Sequence, residues 1–139
     1  MSQLVVQKYG GSVLRDESSF GDVARRIARS AREGRSVVAV VSARAGITDA
    51  LLARARATTP TPSVAALDLL LGTGEMESAA LLTLALEAEG VAAEALNPWQ
   101  LGLGTDGVHG DARLTRVNPL PLRLRLAETP VLVVPGFLG

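Results

Sequence analysis

Lys8 is followed by Tyr9-Gly10-Gly11-Ser12, and it is the only lysine: every other one of the 14 basic residues is an arginine. A compact ammonium next to glycine amides suits phosphate. Bare amides can approach phosphate oxygens while the ammonium offsets charge growing between donor and acceptor during phosphoryl transfer. The same residue types also make an ordinary strand-to-helix turn, so the segment has to be weighed with others. Ser42 directly follows an apolar run and can offer a hydroxyl or an amide to a transferred group; turn chemistry uses serine there too. Glu75, just past Gly72-Thr73-Gly74, can grip a substrate ammonium or answer a helix dipole, and Glu77 in the same turn does only the latter.

Other patterns carry less. Gly102-Leu103-Gly104-Thr105-Asp106-Gly107 matches a dinucleotide fingerprint letter for letter, but it neither follows a clear strand nor opens a helix. No Walker A sequence is present. His109 is the only histidine and there are no cysteines, so no metal site is expected and His109 reads as structural or superficial. The arginines from Arg25 to Arg32 form a solvated helix face.

The elements that must position these residues alternate. A strand through Leu4-Val5-Val6 runs into the Lys8 loop, and apolar positions Phe20, Val23, Ile27 and Ala31 predict a helix over 18–33, closed by Gly34. The β-branched run 37–41 predicts a strand buried on both faces, hence a β-α-β unit with a parallel sheet. Thr48 is placed to cap a helix over 49–57, and Thr58 to Ser63 reads as a loop. A short helix over 64–71 is expected to end at Gly72-Thr73-Gly74, with Glu75 opening a second, buried helix to Glu89. Strand 91–96, an irregular or hairpin-like stretch 98–113, a helix 119–128 and strand 131–134 complete the chain. This is an α/β three-layer sandwich with a mainly parallel sheet, one domain over 1–139, with ligands expected beyond the carboxyl ends of the strands. Lys8, Ser42 and Gly136 fall at such ends.

Composition narrows the partners. Formal charge is zero and aromatics are 3%, which argues against nucleic acid. No basic leader precedes an apolar run, and no stretch is read as the roughly 20 apolar residues of a membrane span, so the expectation is a soluble, cytoplasmic protein.

Taken in order, Val5-Val6-Gln7-Lys8-Tyr9-Gly10-Gly11-Ser12, Val40-Val41-Ser42-Ala43, Gly74-Glu75 with Ser78-Ala79-Ala80-Leu81-Leu82, Thr105-Asp106 through His109-Gly110-Asp111-Ala112-Arg113, and Gly136-Phe137-Leu138-Gly139 resemble the aspartate kinase branch of the amino acid kinase family. The resemblance implies transfer of a phosphoryl group from MgATP, as co-substrate with no tightly bound cofactor, to the side-chain carboxylate of L-aspartate, on the route to lysine and related amino acids. It gives Lys8 the catalytic role of stabilising the group in flight, Gly10, Gly11 and Ser12 the phosphate, and Ser42, Glu75, Thr105 and Asp106 the aspartate. A carboxylate is a competent nucleophile at neutral pH, so alignment and charge neutralisation would suffice without a general base.

Three positions depart from the family pattern: Val13 stands where a second hydroxyl is usual, and Arg44 and Glu77 where small or apolar residues are. Relative to that family, the sequence through Gly139 is expected to be a truncated, substrate-side amino-terminal half, inactive alone, that leaves a sheet edge after strand 131–134. Self-association or a second chain is expected to cover that face. The alternatives are a non-catalytic small-molecule-binding or interaction module derived from such a kinase, and a related acetylglutamate or carbamate kinase, which the Thr105 to Arg113 segment disfavours.

Overall fold

The computed structural model describes residues 2–137, so Leu138 and Gly139 of the Gly136–Gly139 segment lie outside the described residues. Strand β1 (Leu4–Tyr9) continues through Lys8 and does not end before it. Helix α1 (Glu17–Arg32) starts at a capping box in which the Asp16 side chain takes the Ser19 N–H and Ser19 reaches back to the Asp16 N–H. Its buried stripe is Phe20, Val23, Ala24, Ile27 and Ala28. Gly34, at φ 80°, lets the chain leave the helix and enter β2 (Ser36–Val41).

Helix α2 (Ile47–Thr58) begins at Gly46 in the left-handed region with no side-chain cap, so the expected cap at Thr48 lies inside the helix. Helix α3 runs unbroken over Val64–Ala88. Gly72-Thr73-Gly74 is therefore not a break, and Glu75 sits in mid-helix, not at a helix start. The physical reason is tertiary: a Cβ on Gly74 would come 2.9 Å from Ile47 Cγ2 and 3.2 Å from Leu51 Cδ1, so glycine here lets α2 pack closely on α3. That close packing outweighs the roughly 1 kcal/mol that a glycine costs inside a helix. By length and mean hydropathy, 1.3 over its most apolar window, α3 is long and apolar enough to cross a membrane, contrary to the sequence reading. Here it packs on α1, α2, β3 and β6, as a core helix does, although Leu69 and Leu84 remain exposed.

After β3 (Ala93–Ala95) and a 3-10 turn at Pro98–Gln100, strands β4 (Leu103–Thr105) and β5 (Leu114–Val117) form an antiparallel hairpin with a register shift at Gly104/Thr105. Helix α4 (Leu120–Leu126) leads to β6 (Val131–Pro135).

The main sheet has order β1-β2-β6-β3, with every pair parallel. Among the described residues β6 is thus interior, paired on both sides, and is not itself the expected open edge; the edges are β1 and β3. The glycine pattern of 102–107 spans the hairpin, where no helix follows. One face of the sheet, with Tyr9, Val37, Ala39, Val41, Val131 and Val133, packs under α1 and α3. The other, with Val38, Leu132 and Val134, packs under Leu101 after the 3-10 turn, Leu103 of the hairpin, and Leu122 and Leu126 of α4. A Glu94–Arg125 ion pair ties β3 to α4 on this second side. These are the three expected layers.

Candidate functional site

Parallel strands deliver their carboxyl ends to one edge, and hydrogen bonds past the strands pin the three central loops together. The Ser42 N–H donates to Tyr9 O (3.0 Å), and the Gly136 N–H donates to Val41 O (2.9 Å). Register aligns Lys8 with Val40 and Val40 with Val134, so the loops after β1, β2 and β6 begin side by side.

Lys8, the last residue but one of β1, points to the side opposite buried Tyr9 and is exposed. Among the described residues no carboxylate lies within ion-pair distance of it. Tyr9 anchors this strand end from below: its hydroxyl donates to Gln7 Oε1 (2.7 Å), and burial raises its pKa, with Arg26 partly opposing.

The two glycines that follow differ. A Cβ on Gly11 would lie 3.3 Å from Ala43 O, so Gly11 lets the β1 loop rest on the β2 loop. A Cβ on Gly10 would meet nothing within 4 Å, and Gly10 has no positive φ. Neither backbone conformation nor packing requires glycine at position 10; open space above its backbone is what a close-approaching phosphate would use. Gly10 O accepts from the N–H groups of Val13 (2.9 Å) and Leu14 (3.0 Å), which closes the turn and leaves Ser12 exposed.

Glu75 reaches the same edge from α3. Its Oε2 accepts from the N–H of Gly136 (3.0 Å) and Phe137 (3.2 Å), and among the described residues Oε1 has no partner. Glu75 therefore holds the post-β6 loop with one oxygen and presents the other. Glu77 is exposed on another side of the helix.

Thr105, at the end of β4, lines an open cleft of about 380 Å³ whose opposite wall is Gly136 and Phe137. Asp106 is not among the lining residues. Its Oδ1 accepts from the N–H of Val108 and of Arg113 (3.1 Å each), which folds the hairpin loop and holds the carboxyl below its ordinary pKa, the Arg113 bond contributing most. The structure thus brings Lys8, Gly10, Gly11, Ser42 and Glu75 to one edge, sets Thr105 across the cleft from Gly136, and gives Asp106 a loop-forming task.

Two contributors escaped the sequence reading. Phe137 supplies a backbone donor to Glu75 and a wall of the cleft. Asp68, on α3 and 6% exposed, receives the Gly110 N–H (2.8 Å) and lies 3.2 Å from His109 Nδ1. An acidic residue seven positions before Glu75 on an apolar helix was the available signal, since that spacing puts both on one face.

The amino acid kinase family model matches residues 3–139. An aspartokinase of Thermus thermophilus is 44% identical over 136 residues, 98% of this chain and 34% of that protein. An aspartokinase of Mycolicibacterium smegmatis is 43% identical, over 98% of this chain and 32% of its own length. The crystal structure of aspartate kinase from Synechocystis superposes with a TM-score of 0.81 at 35% identity, covering 94% of this chain and 21% of that one. The chain spans about a third of the length of the curated relatives it matches.

Proposed function

Because the chain belongs to the amino acid kinase family, we propose that it carries the acceptor-binding side of an aspartate kinase site. Relatives bearing the aspartokinase name across nearly the whole chain support this choice within the family. The observation that carries it is the meeting at one sheet edge of the only lysine with the half-buried Glu75, whose Oε1 is unengaged among the described residues.

In this reading Glu75 Oε1 takes the α-ammonium of L-aspartate, and the Ser42 hydroxyl and Thr105 orient its carboxylates. The side-chain carboxylate oxygen attacks the γ-phosphorus of ATP; the P–O bond to the β-phosphate breaks and ADP departs with that electron pair. No proton moves in this step, so positioning and charge neutralisation carry it. Lys8 offsets the negative charge that the two reactants bring together, and Gly10 and Gly11 give the phosphoryl oxygens close access to backbone. In this reading Mg²⁺ arrives with the nucleotide as part of the substrate.

Calorimetric titration with L-aspartate tests the reading. Glu75→Gln keeps an oxygen acceptor for the Gly136 loop but removes the charge, and it is expected to weaken aspartate roughly 10- to 100-fold, the value of a charged hydrogen bond. Lys8→Ala is expected to leave aspartate binding intact. A wild-type chain that binds no aspartate, or a Glu75→Gln variant that binds it normally, would overturn the reading in favour of a non-catalytic module.

We also propose that a second copy covers the open side of β1, where Leu4 and Val6 are 54% and 65% exposed while Leu120 and Leu124 of α4 also face outward. A sedimentation profile that stays monomeric at high concentration would refute this.

A further inference from the structure

We propose that Asp68 is a positioning residue for the acceptor cleft: by fixing the hairpin wall to α3 it sets the length of acidic amino acid that fits between Thr105 and Gly136. This rests on the aspartate-kinase reading above and adds to it the element that selects among acceptors.

Each wall of the cleft is bonded to the same helix by one carboxylate, and the Gly136 wall is also tied to the sheet by the Gly136 N–H to Val41 O bond. Glu75 holds the Gly136–Phe137 wall through two backbone N–H groups. Two turns earlier on the same face, Asp68 holds the opposite wall: its Oδ2 takes the Gly110 N–H at 2.8 Å and faces His109 Nδ1 at 3.2 Å. Gly110, with Asp111, Ala112, Leu114 and Thr105, lines that wall. The loop is seated tightly on the helix, because a Cβ on Gly110 would come 2.8 Å from Val64 Cγ1 and the residue has φ 81°.

Apart from Leu103 of β4, partly buried against the second core, little else among the described residues holds this wall in place. Every residue of β5 is exposed, and the Asp106 bonds lie within the loop itself. Asp68 is by contrast buried, with its Oδ2 on the Gly110 N–H, so deleting it removes that tether and frees the wall to move away from Gly136. A wider cleft admits a longer acceptor and holds L-aspartate less well. A purely structural tether would instead lower stability and leave the choice of acceptor unchanged.

The test is titration of wild type, Asp68→Ala, Asp68→Asn and His109→Ala with L-aspartate and with L-glutamate, together with amide exchange at Gly110. Asp68→Ala is expected to weaken L-aspartate about tenfold and to shrink the preference over L-glutamate by a similar factor, as loosened positioning does. Asp68→Asn, which retains an acceptor for Gly110, is expected to stay within about threefold of wild type, with His109→Ala between the two. An unchanged preference in Asp68→Ala overturns the proposal even if both ligands bind more weakly. Should that variant fail to fold, the half-exposed His109→Ala decides, and an unchanged preference there overturns it as well. A wild type that binds neither acid sinks the functional reading instead. The clamp is then judged alone: Asp68→Ala or His109→Ala must speed exchange at Gly110, and unchanged exchange refutes it.

Discussion

The two regions that border the cleft are held by different means. Along the carboxyl edge of the sheet, the loops after β1, β2 and β6 extend the strands' own hydrogen bonding above Val37, Val41, Val131, Leu132 and Val133, all fully buried. The hairpin arm has a wholly exposed second strand and meets the body through Asp68 and the partly buried Leu103. Where the backbone ladder and the core set a position, a side-chain bond such as that of Glu75 to the Gly136 loop only adds to it. Where side-chain tethers set it, one substitution can re-aim a wall. In the proposed reading, the phosphoryl-handling end lies in the first regime and the acceptor-selecting end in the second.

Mutating each region separately puts this contrast to the test. Leu132→Ala, in the interior strand, is expected to cost about 3 kcal/mol, while Leu114→Ala, more than half exposed on the hairpin, stays within about 0.5 kcal/mol. Chemical denaturation measures both, and equal losses would erase the distinction. Two glycines of α3 give a finer division. Gly74→Ala drives a methyl against Ile47 and Leu51 and is expected to destabilise by about 1–3 kcal/mol. Gly72→Ala meets nothing nearer than Phe137 Cδ1 at 3.9 Å and is expected to stabilise by about 0.5–1 kcal/mol through helix propensity. Thermal unfolding of the pair should move in opposite directions.

The smallest expected effect concerns pH. The Asp106 pKa lies below its ordinary 3.8, so the native hairpin binds this proton less readily than the unfolded chain does. Its contribution to hairpin order is therefore fully present above about pH 4 and is lost as pH falls through the depressed native value. Amide NMR shifts of Val108 and Arg113 should stay flat above that range and move below it, while Val133 in the core stays unchanged. Movement of all three together would mean that the hairpin and the sheet respond as one unit.

What could be read from the sequence follows the same division. The runs 37–41 and 131–134 announce buried strands because a strand covered on both faces needs apolar residues throughout, and Lys8 and Ser42 are legible because they sit at the ends of strands. The continuity of α3 was not legible. Gly72 and Gly74 carry a local penalty, and the compensating contacts of Gly74 with Ala43, Ile47 and Leu51 come from another helix and the loop before it. Asp68 was missed for the same reason, since its partners lie 41 and 42 residues further along the chain. The place of β6 between β2 and β3 leaves no local trace either.

That strand order also governs when the sheet can form. Strands β2 and β3 are neighbours of β6 and not of each other, and β6 is the last strand of the described chain. While the polypeptide emerges from a ribosome, β1, α1 and β2 can assemble early, but β3 has no partner until Val131–Pro135 has been made. Until then the β6-facing side of β2 is an unpaired, β-branched strand edge, the kind of surface that recruits chaperones or stray strands. Closing the gap requires contacts that span almost a hundred residues between β2 and β6, so insertion of the central strand is expected to be the slow step of folding.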